Sequence, residues 1–242
     1  MKFSLIIPMY NESAIVAQTI KTVHDSLSTL YAEGEFEVLM VDDGSIDDTV
    51  AIANETAASH PEVRIIGYPK NAGKGAAVRH GMLTAVGEIV LFSDCDLAYG
   101  HEIFATFVDK LTSSGADIVI GSRKLDEKGY EGYTFLRKVM SRSFLWFIRR
   151  YTGLKYSDSQ CGLKCFRREI AQRIFAHVET NGWAFDLEAL LLAQKMGLSV
   201  AELPARIINH RESRVRPVRD AINMLKSARI IKKKVRKFRE NT

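Results

Sequence analysis

Leu91-Phe92-Ser93-Asp94-Cys95-Asp96 reads as the end of a buried strand closed by two carboxylates one residue apart. Aspartates at i and i+2 leaving a strand point to the same side. Together they can hold a hard divalent cation, which prefers carboxylate oxygen and in turn clamps a diphosphate. Asp-x-Asp alone is a common surface-loop pattern, so its place in the chain decides its meaning. Ile89-Val90-Leu91-Phe92 reads as a buried strand, and ligands of open α/β sheets sit just beyond the carboxyl ends of strands.

Outward from this stretch, apolar strand-like runs at 3–8, 36–42, 63–68, 88–93 and 117–121 alternate with segments at 13–30, 47–59, 75–86 and 101–113. In the latter, apolar residues recur at spacings of three and four. The alternation predicts parallel βαβ units in a doubly wound, mostly parallel sheet with a helical C-terminal extension. After Ser122 the pattern loosens into a Gly/Tyr-rich loop at 129–133 and a helix-rich part, and a last strand at 199–203 is stopped by Pro204. Two nucleotide motifs are excluded. No Gly-x-Gly-x-x-Gly follows the first strand, and Gly73-Lys74-Gly75 lacks the earlier glycine and following Ser/Thr of a P-loop. Instead, the first strand ends in Pro8-Met9-Tyr10-Asn11-Glu12 and the second in Val41-Asp42-Asp43-Gly44-Ser45. A parallel sheet sets both along one edge with Asp94 and Asp96.

The 242 residues, 46% of them hydrophobic, suffice for one substantial core. One domain at 1–216 with an appended tail at 217–242 is the expected organisation. Cys95, Cys161 and Cys165 lack zinc-type pairing, and Cys161 and Cys165 read as buried thiols. The first apolar run is too short for a signal peptide and no stretch reaches the roughly 18 apolar residues of a membrane span, so a cytoplasmic location is expected. The net charge of +5 is unevenly placed: from Lys226 to Arg239 there are eight Lys/Arg and no Asp or Glu. Such asymmetry suggests an anionic surface as partner. Basic charge alone does not specify nucleic acid, no nucleic-acid motif accompanies it, and a nucleic-acid partner is not expected.

Five stretches, Pro8-Met9-Tyr10-Asn11-Glu12, Val41-Asp42-Asp43-Gly44-Ser45-x-Asp47, Asn71-x-Gly73-Lys74-Gly75, Asp94-Cys95-Asp96 and Gly121-Ser122-Arg123, resemble in order and spacing the family 2 glycosyltransferases of the GT-A fold. Within that family the chain is most similar to the polyprenyl-phosphate sugar synthases, such as the dolichyl-phosphate mannose and glucose synthases. The closer likeness rests on Phe135 to Ser141, Asp158-Ser159-Gln160-Cys161-Gly162-Leu163-Lys164-Cys165-Phe166, Phe185-Asp186-Leu187-Glu188 and Glu212-Ser213-Arg214-Val215. The wording around Cys161 leans towards the glucose enzymes.

The resemblance implies that Pro8, Tyr10, Glu12, Val41, Asp43 and Lys74 hold the nucleotide, with Asp43 accepting from the base. It implies that Asp94 and Asp96 face the ribose, diphosphate and Mg²⁺ or Mn²⁺, and that Arg123, Arg137 and Ser141 receive the acceptor phosphate. Two positions depart from the mannose-synthase branch. Ala98 stands where that branch has a Gln metal ligand, and Ala184 where it has Lys. A water is then expected on the metal, and diphosphate contacts shift to Arg211 or Arg214. The implied activity is inverting transfer of a hexose from UDP-glucose or GDP-mannose to a polyprenyl phosphate, peripheral on the cytosolic face of a membrane. The alternative is a hydroxyl acceptor, which requires a general base; Asp186 is the first candidate and Glu188 the second.

Plainer roles compete at several of these positions. Asp42-Asp43-Gly44-Ser45 suits a turn and helix cap. Asp186 and Glu188 lead a helix, where acids are favoured at the positive dipole end. Phe144-Leu145-Trp146-Phe147-Ile148, flanked by Arg142, Arg149 and Arg150, fits either core or an interfacial helix. The tail places Leu225, Ala228, Ile231, Val235 and Phe238 at helical spacing against its lysines and arginines, a pattern for a membrane surface.

Overall fold

A computed structural model describes residues 1–131, 135–209 and 217–239, the side chains of 135–142, 144 and 217–222 excepted. Strands β1 (Phe3–Met9), β2 (Phe36–Asp42), β3 (Val63–Gly67) and β4 (Ile89–Ser93) are joined through helices α1 (Val16–Ser28), α2 (Thr49–Ala57) and α3 (Lys74–Thr84). Then come α4 (Ile103–Ser113), β5 (Ile118–Ser122), α5 (Phe135–Thr152), β6 (Leu163–Arg167), α6 (Arg168–Phe175), α7 (Phe185–Lys195), β7 (Val200–Pro204) and α8 (Pro217–Lys237). The strands form one sheet in the order β3-β2-β1-β4-β6-β5-β7.

β1, β2 and β4 are buried nearly throughout because helices cover both faces of the sheet, which is why their sequences read as continuous apolar runs. Alternate residues feed two cores. Ile6, Leu39, Val41, Val90 and Phe92 face the layer that includes residues of α3, α6 and α7. Leu5, Ile7, Val38, Met40 and Leu91 face the one that includes residues of α1 and α4. The parallel register pairs Met9 with Asp42 and Ile6 with Phe92. The carboxyl ends of β1, β2 and β4 therefore share one edge, as the sequence predicts.

The sheet departs from the expected pattern at β6, which is antiparallel to both β4 and β5. Its residues Leu163, Lys164, Cys165 and Phe166 are all buried, so no alternation marks them, and a lysine in mid-strand masks the apolar run. Because β6 runs backwards, its start rather than its end lies beside Ser93, and this brings Cys161 and Gly162 to the site edge. The last strand includes Pro204 instead of stopping before it. β7 is an edge strand paired to β5 alone, where a residue without an N–H is tolerated.

The segment after 216 also differs from an appended tail. Met224, Ala228, Ile231 and Val235 of α8 join the core against α5 and α7. Phe238 packs edge-on to His177 with ring centres 4.9 Å apart, and Lys234 Nζ lies 2.6 Å from Glu188 Oε1 and 3.0 Å from Glu179 Oε2. The apolar stripe expected to meet a membrane is thus used within the molecule, whereas Leu225, assigned to that stripe, is exposed.

Candidate active site

The loops after β1 and β2 are cross-pinned. Asn11, at φ 53°, donates its N–H to Ser45 Oγ at 3.0 Å and accepts from Ile46 N at 2.9 Å. Asp42 closes the second loop by accepting from the N–H groups of Gly44 and Ser45, an Asx-turn. Gly44, at φ 73°, permits this turn; a Cβ there would meet Asn71 N at 2.5 Å. Pro8 and Val41 are buried beneath, while Tyr10 and Glu12 are partly exposed above.

Asp43, expected to accept from a base, has another occupation. Tyr68 Oη (2.7 Å), Asn71 Nδ2 (2.8 Å), Ala72 N (2.9 Å) and Gly73 N (2.9 Å) all donate to its carboxylate. A carboxylate offers about four acceptor sites, so these bonds saturate it. Asp43 therefore organises the 68–73 loop, and through it the start of α3, instead of presenting open oxygens at the cleft.

Lys74 opens α3 and ion-pairs with Asp94 Oδ1. Burial would pull its ammonium down, but Asp94, Asp186 and Asp96 hold it above its usual value. Asp94 packs against the backbone of Gly162, where any Cβ would collide with its carboxylate. The turn after Asp94 is fixed by Thr19 Oγ1 donating to Cys95 O (2.7 Å), by Ala98 N donating to Asp96 Oδ1 (3.1 Å) and by Asn209 Nδ2 donating to Leu97 O (2.8 Å). Ala98 thus acts through its backbone, on the carboxylate itself. A groove of about 720 Å³ is lined by Asp96, by Gln18 and Thr22 of α1 and by His101, and not by Tyr10 or Asp43.

Asp94 and Asp96 fit a hard divalent cation. They present only oxygen donors, and burial together with the charge of Asp94 raises the Asp96 carboxyl, so the pair carries negative charge that a cation relieves. No group of three or more His, Cys, Asp or Glu able to hold a metal occurs among the described residues. Among the described residues the strand end thus offers two carboxylate ligands.

Arg123, at the end of β5, is gripped by Asp158: Nε to Oδ2 at 2.7 Å and Nη2 to Oδ1 at 3.0 Å. Asp158 also accepts from the N–H groups of Arg123 (3.2 Å) and Gln160 (2.9 Å) and is fully buried. Burial alone would raise this carboxyl, but Arg123 and the N–H donors outweigh it and hold it below the usual value. Its folded-state value lies below the unfolded one, so the stabilisation is present above about pH 4 and lost as pH falls through the folded value. Asp158→Asn is expected to cost about 3 kcal/mol at pH 7. Urea midpoints should show the gap from wild type closing as the pH is lowered towards about 3.

The sequence reading gave no role to Lys164. Its ammonium is fully buried and lies 2.6 Å from Asp186 Oδ1 and 2.7 Å from Cys161 O, over the Phe92 ring at 5.3 Å. Burial pushes the Asp186 carboxyl up while Lys164 and Lys74 draw it back. Glu188, two residues further along α7, accepts from Glu179 N (3.1 Å) and Thr180 N (2.8 Å) and pairs with Lys234. It is consumed in structure and is not an available base. The expected contacts of Arg137, Ser141, Arg211 and Arg214 lie outside the described residues.

A sequence model described as "Glycosyl transferase family 2" matches residues 4–175. The chain belongs to this family. It is 36% identical over 211 residues to dolichyl-phosphate beta-glucosyltransferase ALG5C of Trichomonas vaginalis, covering 83% of this chain and 62% of that protein. It is 32% identical over 234 residues to the dolichyl-phosphate beta-glucosyltransferase of Dictyostelium discoideum, covering 92% of this chain and 71% of that one. The chain thus spans a little under two thirds of the first relative and somewhat more of the second. Among solved structures, glucosyl-3-phosphoglycerate synthase of Mycobacterium tuberculosis, in complex with Mn²⁺, UDP and phosphoglyceric acid, superposes with a TM-score of 0.69 at 19% identity. That match covers 99% of this chain and 80% of the other. It supports the GT-A fold read from the five family 2 stretches.

Proposed function

We propose that this glycosyltransferase moves glucose from a nucleotide diphospho-sugar, UDP-glucose before GDP-mannose, to a polyprenyl phosphate in a single inverting displacement. The observation that carries this reading is the fate of the two candidate bases. Asp186 is bound by the buried Lys164, and Glu188 by Lys234 and two backbone N–H groups. A hydroxyl acceptor needs its proton removed. A phosphate monoester, with a second pKa near about 6, arrives already ionised. The names of the relatives agree with a phosphate acceptor and with glucose.

In this reading Asp94 and Asp96 hold Mg²⁺ or Mn²⁺, which when bound offsets the charge growing on the leaving diphosphate. Lys74, the cation already neutralising Asp94, lies within reach of the same diphosphate. Pro8, Val41, Tyr10 and Glu12 shape the nucleoside wall, and Asp43 fixes the loop that closes it. Asp158 takes two of the five Arg123 N–H donors; those remaining receive the acceptor phosphate, together with Arg137 and Ser141. Arg211 and Arg214 complete the diphosphate contacts.

Among the described residues no helix is long and apolar enough to cross a membrane. Docking at a membrane surface is supported by Trp146 and Phe147 of α5 and Leu225 and Ile230 of α8, all exposed, together with exposed Arg150, Lys226, Arg229 and Lys233. The cytosolic face belongs to this proposal. Replacing Trp146 and Phe147 by Ser is expected to weaken flotation with anionic liposomes at least about tenfold, and undiminished flotation would count against this face. The reaction itself is tested by incubating each donor and Mg²⁺ with a short polyprenyl phosphate and determining the anomeric configuration of the product by NMR. β-linked glucose from an α-linked donor is the expected result; retained configuration would exclude single displacement.

A further inference from the structure

Trp183 is a large aromatic residue that the fold holds in solvent. It is 56% exposed, in the connection that leads into α7. Burial is the usual fate of so much apolar surface, and looseness does not explain this exception. Gly75 N donates to Asn181 O at 2.7 Å, a Cβ at Gly73 would lie 2.5 Å from Asn181 O, and one at Gly75 would lie 2.7 Å from Phe185 Cβ. On the other side Glu188 accepts from the N–H groups of Glu179 and Thr180. The backbone before Trp183 is therefore clamped to the start of α3 and to α7, while the indole remains uncovered.

The ring is placed at the candidate site. Lys74 Nζ lies 5.1 Å from its centre, and that ammonium also binds Asp94. Ring and strand-end carboxylate thus contact the same cation, on the side of the cleft assigned to the donor. An aromatic face shared with one ammonium, itself paired to a carboxylate, suits neither a hydrocarbon chain nor a bare diphosphate. It suits a molecule with one apolar face and a polar rim, which is what a pyranose offers: C–H bonds on a face and hydroxyls at the edge.

We propose that Trp183 is the platform on which the donor hexose lies, with Lys74 and Asp94 at its polar rim. The proposal rests on the reading of the site as one that takes a nucleotide-hexose. It separates two parts of the donor: the hexose touches the indole, and the nucleoside diphosphate does not.

The chain contains two tryptophans, so Trp146→Phe leaves Trp183 as its one indole emitter. In that background, with Mg²⁺, UDP-glucose is expected to quench and shift the emission clearly more than UDP, whose diphosphate reaches Lys74 but not the ring, and a short polyprenyl phosphate leaves it unchanged. Trp183→Ala should raise KM for UDP-glucose about 5- to 10-fold. It should leave the inhibition constant of UDP and the melting temperature in place, and Trp183→Phe should recover most of the loss. Equal quenching by UDP and UDP-glucose would overturn the platform, as would a Trp183→Ala defect confined to KM for the lipid. Calorimetric binding of both nucleotides keeps the two readings apart. UDP-glucose that binds without altering the emission refutes the platform alone, whereas failure of any sugar nucleotide to bind the wild type refutes the site reading and the platform with it.

Discussion

Asp96→Ala is expected to lower transfer at least about 10³-fold while leaving the protein folded. In the proposed function the residue is one of the two oxygen ligands at the end of β4, and Asp94 alone, already shared with Lys74 and pressed against Gly162, cannot replace it. A loss of this size corresponds to about 4 kcal/mol of transition-state stabilisation, within what a metal supplies to a developing diphosphate charge. Stability should change little, because the variant loses the bond from Ala98 N but also removes one of two neighbouring like charges from a partly buried turn. Excess chelator should reproduce the loss in the wild type, and added Mg²⁺ or Mn²⁺ should reverse it. Initial rates and thermal melts measured together decide the matter. Activity persisting in excess chelator would refute the metal role.

The second large effect concerns Lys164 and Asp186. Asp186→Asn leaves a fully buried ammonium without its counter-charge, and removing one partner of a buried pair costs about 3–5 kcal/mol. Lys164→Met has the mirror consequence for a carboxylate that burial already disfavours. The double variant removes both charges and should recover most of the stability, a coupling that denaturation midpoints of the four proteins measure directly. Transfer to a phosphate acceptor should survive in the folded double variant within about tenfold of wild type, because no proton has to be taken from the acceptor. A general base contributes about 10²–10⁴-fold. If every folded variant lacking Asp186 loses activity by such a factor at unchanged KM, Asp186 is the base and the hydroxyl-acceptor alternative takes precedence.

What the sequence disclosed depended on whether a role was local. Strand ends with distinctive residues, Pro8 to Glu12, Val41 to Ser45 and Asp94 to Asp96, could be placed on one edge because parallel βαβ units leave no other arrangement. The five-stretch likeness carried the family. β6 stayed hidden because Leu163 to Phe166 are all buried, so the strand shows no alternation. Its lysine acquires meaning only when α7, 22 residues further on, brings Asp186 to within 2.6 Å. Arg123 read as a free fork for phosphate because Asp158, 35 positions away, gave no local sign of gripping it. Asp43 read as a ligand acceptor for the same reason, since the donors that saturate it come from 68–73. The amphipathic pattern of α8 was correctly legible as a pattern, but periodicity cannot tell whether an apolar stripe meets a membrane or another helix.

The most direct test of the central claim is a partition assay. The protein with Mg²⁺ and UDP-glucose labelled in the sugar is given a short polyprenyl phosphate together with a panel of free sugars. Label recovered in the lipid fraction, dependent on the polyprenyl phosphate and absent from the sugar products, is the result this account predicts. Label recovered only in sugar products would contradict it, and would move Asp186 from a partner of Lys164 to the centre of the chemistry.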